Sequence, residues 1–518
     1  MITNHYDIII IGTGAGGGTL AYKLASTGKK ILLLERGSYL PREKANWDSV
    51  EVVRKERYHT TEVWYDKHGH PIHPGVGYFV GGNTKVYGGA LFRFRERDFE
   101  KVHHVGGISP EWCLKYRDFE PYYTEAEKLY EVRGQHGIDP TEPPASTDYS
   151  FPPISHEPRI QEIHNDLKSK GFHPFYLPLA IKLNEVHRRL SACIRCNTCD
   201  GFPCLVDGKG DADINCVRPT EKYENLTLIT EAKVLQLHTS PSGREVTKVE
   251  VEIAGEIQYF SGDIVVVACG AINSAALLLR SANDKHHYGL ANSSNQVGRN
   301  LMKHQNGAII GLSFKPNPTV FQKTMAINDF YWGEPGFNYP MGHVQLLGKV
   351  DAEMIAMEAK SITKIPFEEK HAYDKVATHS VDWWLTAEDL PDPNNRVLIK
   401  GDSIQFNYTE NNTAAYDRLL TRWIEVLKSI GCGDKIFPYS LYFRKKIPIQ
   451  GVAHQCGTCR FGEDPQTTVL DLNCRTHDVD NLYVVDSSFF PSSAAVNPTL
   501  TIIANALRVG ENLIGRMS

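Results

Sequence analysis

What this 518-residue chain lacks narrows the field first. It has no apolar run near the roughly 18 residues that a membrane-spanning helix needs; its longest are short strand-like pieces such as residues 6–11 and 264–269. The first residues also lack the basic segment and apolar stretch of a secretion signal. The expectation is a cytoplasmic chain with no membrane span. An excess of one charge is missing too: 56 Lys and Arg against 61 Asp and Glu leave a net charge of −5, which argues against a nucleic-acid partner. There is no useful internal repeat, and 41% hydrophobic with 23% charged residues is ordinary globular composition. The eleven cysteines are an odd number, and in a reducing compartment they suit thiol, metal or packing roles better than a disulfide framework.

What is present begins with a nucleotide-type unit. Residues 6–11 read as a strand, 19–26 as a helix stopped by Gly28, and 30–34 as a second strand. Between strand and helix stand Gly12, Gly14 and Gly17 in the spacing G-x-G-x-x-G. The first glycine permits a tight turn, the second lets the backbone approach a pyrophosphate, and the third lets helix and strand pack closely. The phosphates then meet the unpaired amides of the helix N-terminus. Glu35, at the end of the second strand, can accept hydrogen bonds from a ribose and would repel a 2′-phosphate. These residues favour FAD or NAD over NADP and do not choose between the first two.

Other segments return to the same theme. Residues 81–89 form a second glycine-rich loop, 226–230, 246–253 and 264–268 read as strands, and 274–280 as a helix. Residues 305–450 are rich in aromatic and β-branched segments, with an amphipathic helix at 416–429. A last strand at 482–485 precedes Asp486 and a helix at 499–510. The expected fold class is α/β, a Rossmann-like nucleotide-binding domain with an inserted mixed-sheet substrate domain. The nucleotide domain would comprise residues 1–90, 220–304 and 451–518, and the substrate side residues 91–219 and 305–450.

In order along the chain, the unit at residues 7–37, the loop at 81–89, the strand-turn-helix at 267–274, the turn at 297–304 and Asp486 followed by Asn497-Pro498-Thr499-Leu500-Thr501 resemble the glucose-methanol-choline (GMC) family of FAD oxidoreductases. The pattern is most similar to its pyranose and glycoside oxidases and bacterial sugar dehydrogenases. The resemblance implies FAD, held by Gly12, Gly14, Gly17, Glu35, Gly81, Gly82, Asn83, Gly88, Gly89, Val234, Ala268, Gly270, Asp486, Pro498, Thr499 and Thr501. Some pyranose oxidases attach the flavin through a histidine in the glycine-rich loop; Val86 stands at the best-matching position here, so the FAD would be non-covalent. The resemblance also makes His454 the active-site base and Asn497 its partner. A histidine suits removal of a hydroxyl proton near neutral pH. The implied reaction is oxidation of a secondary alcohol of a sugar or glycoside to a ketone, with oxygen, a quinone or a redox protein as acceptor. A sterol or small-alcohol oxidoreductase and a non-redox lyase of the same family are the competing readings. Trp383 and Trp384 could stack on a sugar ring or pack in the core.

One local feature stands apart. Cys193, Cys196, Cys199, Cys204 and Cys216 have the close spacing that an iron–sulfur cluster or zinc site uses. Reduced or partly paired thiols that shape a loop are the competing account; Cys456 and Cys459 add a C-x-x-C beside His454 that is either redox-active or a pair of small residues packed near the flavin.

Overall fold

The structure, a computed structural model, describes residues 4–359, 370–432, 436–439, 447–451 and 453–517. The first half of the architecture is a sheet around the strand Asn4–Ile11, whose four isoleucines are buried. It pairs in parallel with Ile31–Leu34 on one side and with Glu256–Val267 on the other. Leu226–Ile229 extends one edge in parallel, and Leu482–Val484, from the far end of the sequence, pairs in parallel with residues 265–267. The strands at the centre are buried on both faces, so they read as continuous apolar runs rather than alternating ones. The helices Ala15–Ala25 and Thr499–Met517 pack together over this sheet. Val246–Ile253 and Ala232–Thr239 continue it antiparallel.

Glycine is required where helix meets strand. Gly12 has φ +104°, and a Cβ there would lie 2.3 Å from the Ala268 carbonyl oxygen. At Gly17 a Cβ would sit 2.0 Å from the Gly12 carbonyl oxygen, so this glycine serves helix–strand packing.

The second sheet has six strands in the order Ile436–Tyr439, His304–Leu312, Ser380–Glu388, His343–Leu346, Met325–Ile327, Phe175–Tyr176, and all its pairings are antiparallel. Its two faces have different fates. Ile309, Trp383, Leu385, Val344 and Leu346 belong to an apolar cluster with Leu419 and Trp423 of the helix Thr413–Ser429. Trp383 meets Trp423 edge-on, ring centroids 4.8 Å apart. Asn306, Ala308, Gln345, Leu347 and Trp384 line a cavity instead. The split follows from the period of two along a strand. The adjacent tryptophans therefore divide, Trp383 to the core and Trp384 to the cavity.

Among the described residues no helix is long and apolar enough to cross a membrane.

Candidate active site

A cavity of about 460 Å³ runs from the nucleotide-type unit to the wall of the second sheet. At its first end Gly12, Gly14, Ala15 and Gly16 present the start of the helix Ala15–Ala25. No side chain caps that helix, so its first amides face the cavity and suit a diphosphate. Glu35 lies behind them, buried. Its Oε2 accepts from the Thr13 hydroxyl (2.6 Å) and amide (3.1 Å), and its Oε1 accepts from the Gly37 amide (3.1 Å). Burial pushes the carboxyl up, and these donors act against that. Arg36, stacked 3.7 Å above the Tyr78 ring, adds a cationic and aromatic element at this end.

The middle is built by two glycine loops that nearly touch. A Cβ on Gly82 would come within 3.0 Å of the Gly14 Cα. The loop is pinned from behind by Lys85, whose buried ammonium meets Asp211 at 3.0 Å and Asp213 at 2.9 Å. Asp486 ties the C-terminal strand to the turn after residue 267: it accepts from the Gly270 amide (2.9 Å), from Ser274 and from the Ser488 amide (2.8 Å).

Of the residues expected to act, His454, Asn497, Gly12, Gly14, Glu35, Gly82, Asn83, Gly88, Val234, Ala268, Gly270, Asp486 and Thr499 line this cavity. Gly17, Gly81, Gly89, Pro498 and Thr501 are outside its lining. Gly81 turns the loop at φ +95°. Thr501 is buried against the Tyr123 hydroxyl at 2.8 Å, because two residues along a helix rotate a side chain by about 200° from Thr499.

The other end holds a histidine pair that spacing alone had not revealed. His304 is fully buried, and its Nδ1 lies 2.8 Å from His454 Nδ1. His304 Nε2 lies 3.0 Å from the Ser493 carbonyl oxygen. A carbonyl only accepts, so His304 carries its proton on Nε2. Burial pushes His304 down to about 4 and moves His454 well below its ordinary value, so both rings are neutral at neutral pH. His304 Nδ1 must then accept, and His454 Nδ1–H donates to it. The lone pair of His454 is thereby left on Nε2. Such an imidazole, held in one tautomer on a cavity wall, can take a hydroxyl proton.

Among the described residues no group of three or more His, Cys, Asp or Glu side chains is arranged to hold a metal ion. Cys216 turns to the Tyr130 hydroxyl (3.5 Å) and Thr19 (3.8 Å). Burial pushes Cys193 and Cys216 up to about 12 and Cys199 to about 11, so with no cation bound these three are thiols. Cys456 and Cys459 are likewise buried.

Family models described as GMC oxidoreductase match residues 6–306 and residues 440–506. The chain belongs to the GMC oxidoreductase family. It is 29% identical to 6'''-hydroxyparomomycin C oxidase of Streptomyces lividus, covering 99% of this chain and 92% of that one. Paromamine 6'-oxidase of Streptomyces fradiae is 27% identical, with 98% and 91% covered. The fructose dehydrogenase large subunit of Gluconobacter japonicus is 28% identical, with 98% and 97% covered. Pyridoxine 4-oxidase from Mesorbium loti has the same fold, with a TM-score of 0.66 at 19% identity over 98% of this chain and 99% of that one. The GMC fold thus accounts for the sheet and cavity arrangement described above.

Proposed function

We propose that this GMC oxidoreductase binds FAD non-covalently and oxidises an alcohol carbon of a sugar or glycoside to the carbonyl, with His454 as the base. The observation that carries the reading is the chain Ser493–His304–His454, which leaves Nε2 unprotonated on a histidine that lines the cavity. The cavity fits the cofactor: an uncapped helix start for the diphosphate, Glu35 for the ribose, and close-set glycines where side chains would block the groove. FAD, when bound, supplies the two-electron acceptor for the hydride leaving the alcohol carbon. His454 removes the hydroxyl proton as alkoxide character builds, and the Asn497 amide holds the same oxygen. His304 keeps His454 in its acting tautomer, and the wall around Trp384 gives the ring an apolar face. The names of the aminoglycoside and fructose enzymes support a carbohydrate substrate.

The same reading assigns the cofactor to residues 1–90, 220–304 and 451–518, which supply every strand of the parallel part of the first sheet. Residues 91–219 and 305–450 form the substrate side. The acceptor that restores the cofactor is oxygen, a quinone or a redox protein. The test is anaerobic mixing of the purified yellow protein with sugars, glycosides, polyols and sterols while the flavin band is followed. Bleaching by a carbohydrate, lost by at least about 100-fold in His454→Ala with FAD still bound, is the expected result. A flavin that only sterols reduce, or that no alcohol reduces, would refute it.

A further inference from the structure

A hydrogen-bonded chain runs from a buried ion pair to the cavity wall, and its polarity is fixed at every link. Asp139 is paired with Arg95 and accepts from the Thr141 amide (2.9 Å) and hydroxyl (2.8 Å). Surrounded by donors, this carboxylate only accepts. Asn328 therefore turns its Nδ2 to Asp139, at 2.7 Å, and keeps Oδ1 for His343 Nδ1, also at 2.7 Å. That link puts a proton on His343 Nδ1.

His343 is fully buried, and burial pushes it down to about 4. A neutral ring has one N–H, so its Nε2 carries a lone pair. Gln345 Oε1 stands 3.0 Å from that Nε2, and two acceptors do not bond each other. Asn328 cannot turn without facing its own oxygen to the Asp139 carboxylate. The change falls to Gln345, whose amide keeps its shape when oxygen and nitrogen exchange places. Its Nε2 then donates to His343, and Oε1 takes the outer position. That position opens on the cavity. Gln345 lines the cavity, and the outer atom of its amide, with no hydrogen-bond partner among the described residues, is not sealed. Both polar atoms of Asn306, on the same wall, are sealed.

We infer that Gln345 is a fixed hydrogen-bond acceptor for a ring hydroxyl of the substrate, and that the enzyme discriminates against sugars lacking a donor at that ring position. The inference rests on the alcohol-oxidising reading of the same cavity. Gln345 stands opposite Trp384 in the sheet and Trp384 opposite Ala308, all three on the lining. A broad apolar surface beside one oriented acceptor suits a sugar, whose C–H face can cover the indole while a hydroxyl at its edge donates. An amide free to turn would meet a donor or an acceptor alike. Here His343 holds the NH2 inward, so only a donor is matched, and a group that can only accept sets lone pair against lone pair.

The experiment uses the FAD-loaded enzyme with glucose, galactose and fructose, each beside its monodeoxy and monodeoxyfluoro analogues. Fluorine fills the place of a hydroxyl but cannot donate. Anaerobic flavin reduction is followed as a function of sugar concentration. At one ring position other than the one oxidised, both replacements should lower the efficiency by about tenfold or more in the wild type. In Gln345→Met, with FAD retained, both analogues should match the parent sugar within about twofold. A deoxyfluoro sugar that reacts as well as its parent at every such position overturns the acceptor assignment, as does a penalty that survives unchanged in Gln345→Met. Weakened FAD binding in that variant with sugar selectivity intact overturns it too and gives the oxygen to the cofactor. A second readout needs no substrate. In enzyme labelled with 15N-histidine, the signals lost in His343→Gln should show Nδ1 protonated and Nε2 bare; the reverse tautomer, or a doubly protonated ring at neutral pH, overturns the polarity. A flavin that no sugar reduces, in an enzyme whose His343 has the expected tautomer, removes the functional reading and the substrate role with it while the polarity of the chain stands.

Discussion

Replacing His304 probes the proton chemistry without touching any group that meets the substrate. In His304→Leu the acceptor for His454 Nδ1–H and the donor to the Ser493 carbonyl both vanish. A buried donor left without a partner costs about 1–3 kcal/mol, so the tautomer with its lone pair on Nε2 loses its advantage by that amount. At about 1.4 kcal/mol per tenfold in rate, flavin reduction should slow by about 5- to 150-fold. His304→Gln retains one acceptor and one donor in its amide and should recover part of the loss. The assay is anaerobic stopped-flow reduction at saturating sugar between pH 5 and 9, with FAD content measured for each variant. In the wild type the rate should rise with pH through the lowered His454 value and be flat near neutrality. His304→Leu should lower the plateau and alter that acid limb. A Leu variant that keeps FAD, the plateau and the acid limb of the wild type would refute the tautomer argument.

Three further outcomes follow from named contacts. Gly12→Ala places a Cβ 2.3 Å from the Ala268 carbonyl oxygen at φ +104°, so the variant should be recovered, if folded, without the visible flavin spectrum. Glu35→Ala strips the Thr13 and Gly37 amides of their acceptor and should weaken FAD binding by about 1–3 kcal/mol, read by equilibrium dialysis; an unchanged affinity would count against the ribose assignment. Acidification should destabilise the wild type relative to His304→Gln. His304 falls from its ordinary 6.5 to about 4 in the folded protein, so the unfolded chain takes up the proton first, and about 3 kcal/mol is lost as pH falls from 6.5 to 4. The comparison with the variant is needed because Asp98 and Asp389, both pushed up to about 7 by burial, act in the opposite direction over the same range. Urea midpoints that track each other across that range would contradict the assignment.

The nucleotide-type unit was legible because its signals are local. A strand, three spaced glycines, a helix and a carboxylate lie within residues 6–35, and each has a mechanical reason to be there. Asp486 and Thr499 were reached through resemblance and do line the cavity. His304 and Asn306 were not assigned roles, and the reason is physical. The strand His304–Leu312 is buried along nearly its whole length, so no alternation of apolar and polar residues marks its two faces. Sequence could not say which of its polar side chains meets the site. The cysteine spacing left its two readings open for a related reason: short separations along a chain do not by themselves arrange side chains around an ion, and Cys216 is held by Tyr130 and Thr19. The strand Ala232–Thr239 also escaped notice, since its polar and apolar residues follow no clear period and its register shifts twice against its partner.

The two-faced sheet has an evolutionary consequence. Positions 306, 308 and 384 line the cavity, whereas 309, 383 and 385 hold the interior together. Substitutions at the first set bear first on what the enzyme accepts, with a packing cost at Ala308 and Trp384, which also pack with Ile310 and Val350, and substitutions at the second can alter robustness without rewriting the chemistry. A lineage carrying this sheet can explore new substrates one residue at a time while its folded state stays intact.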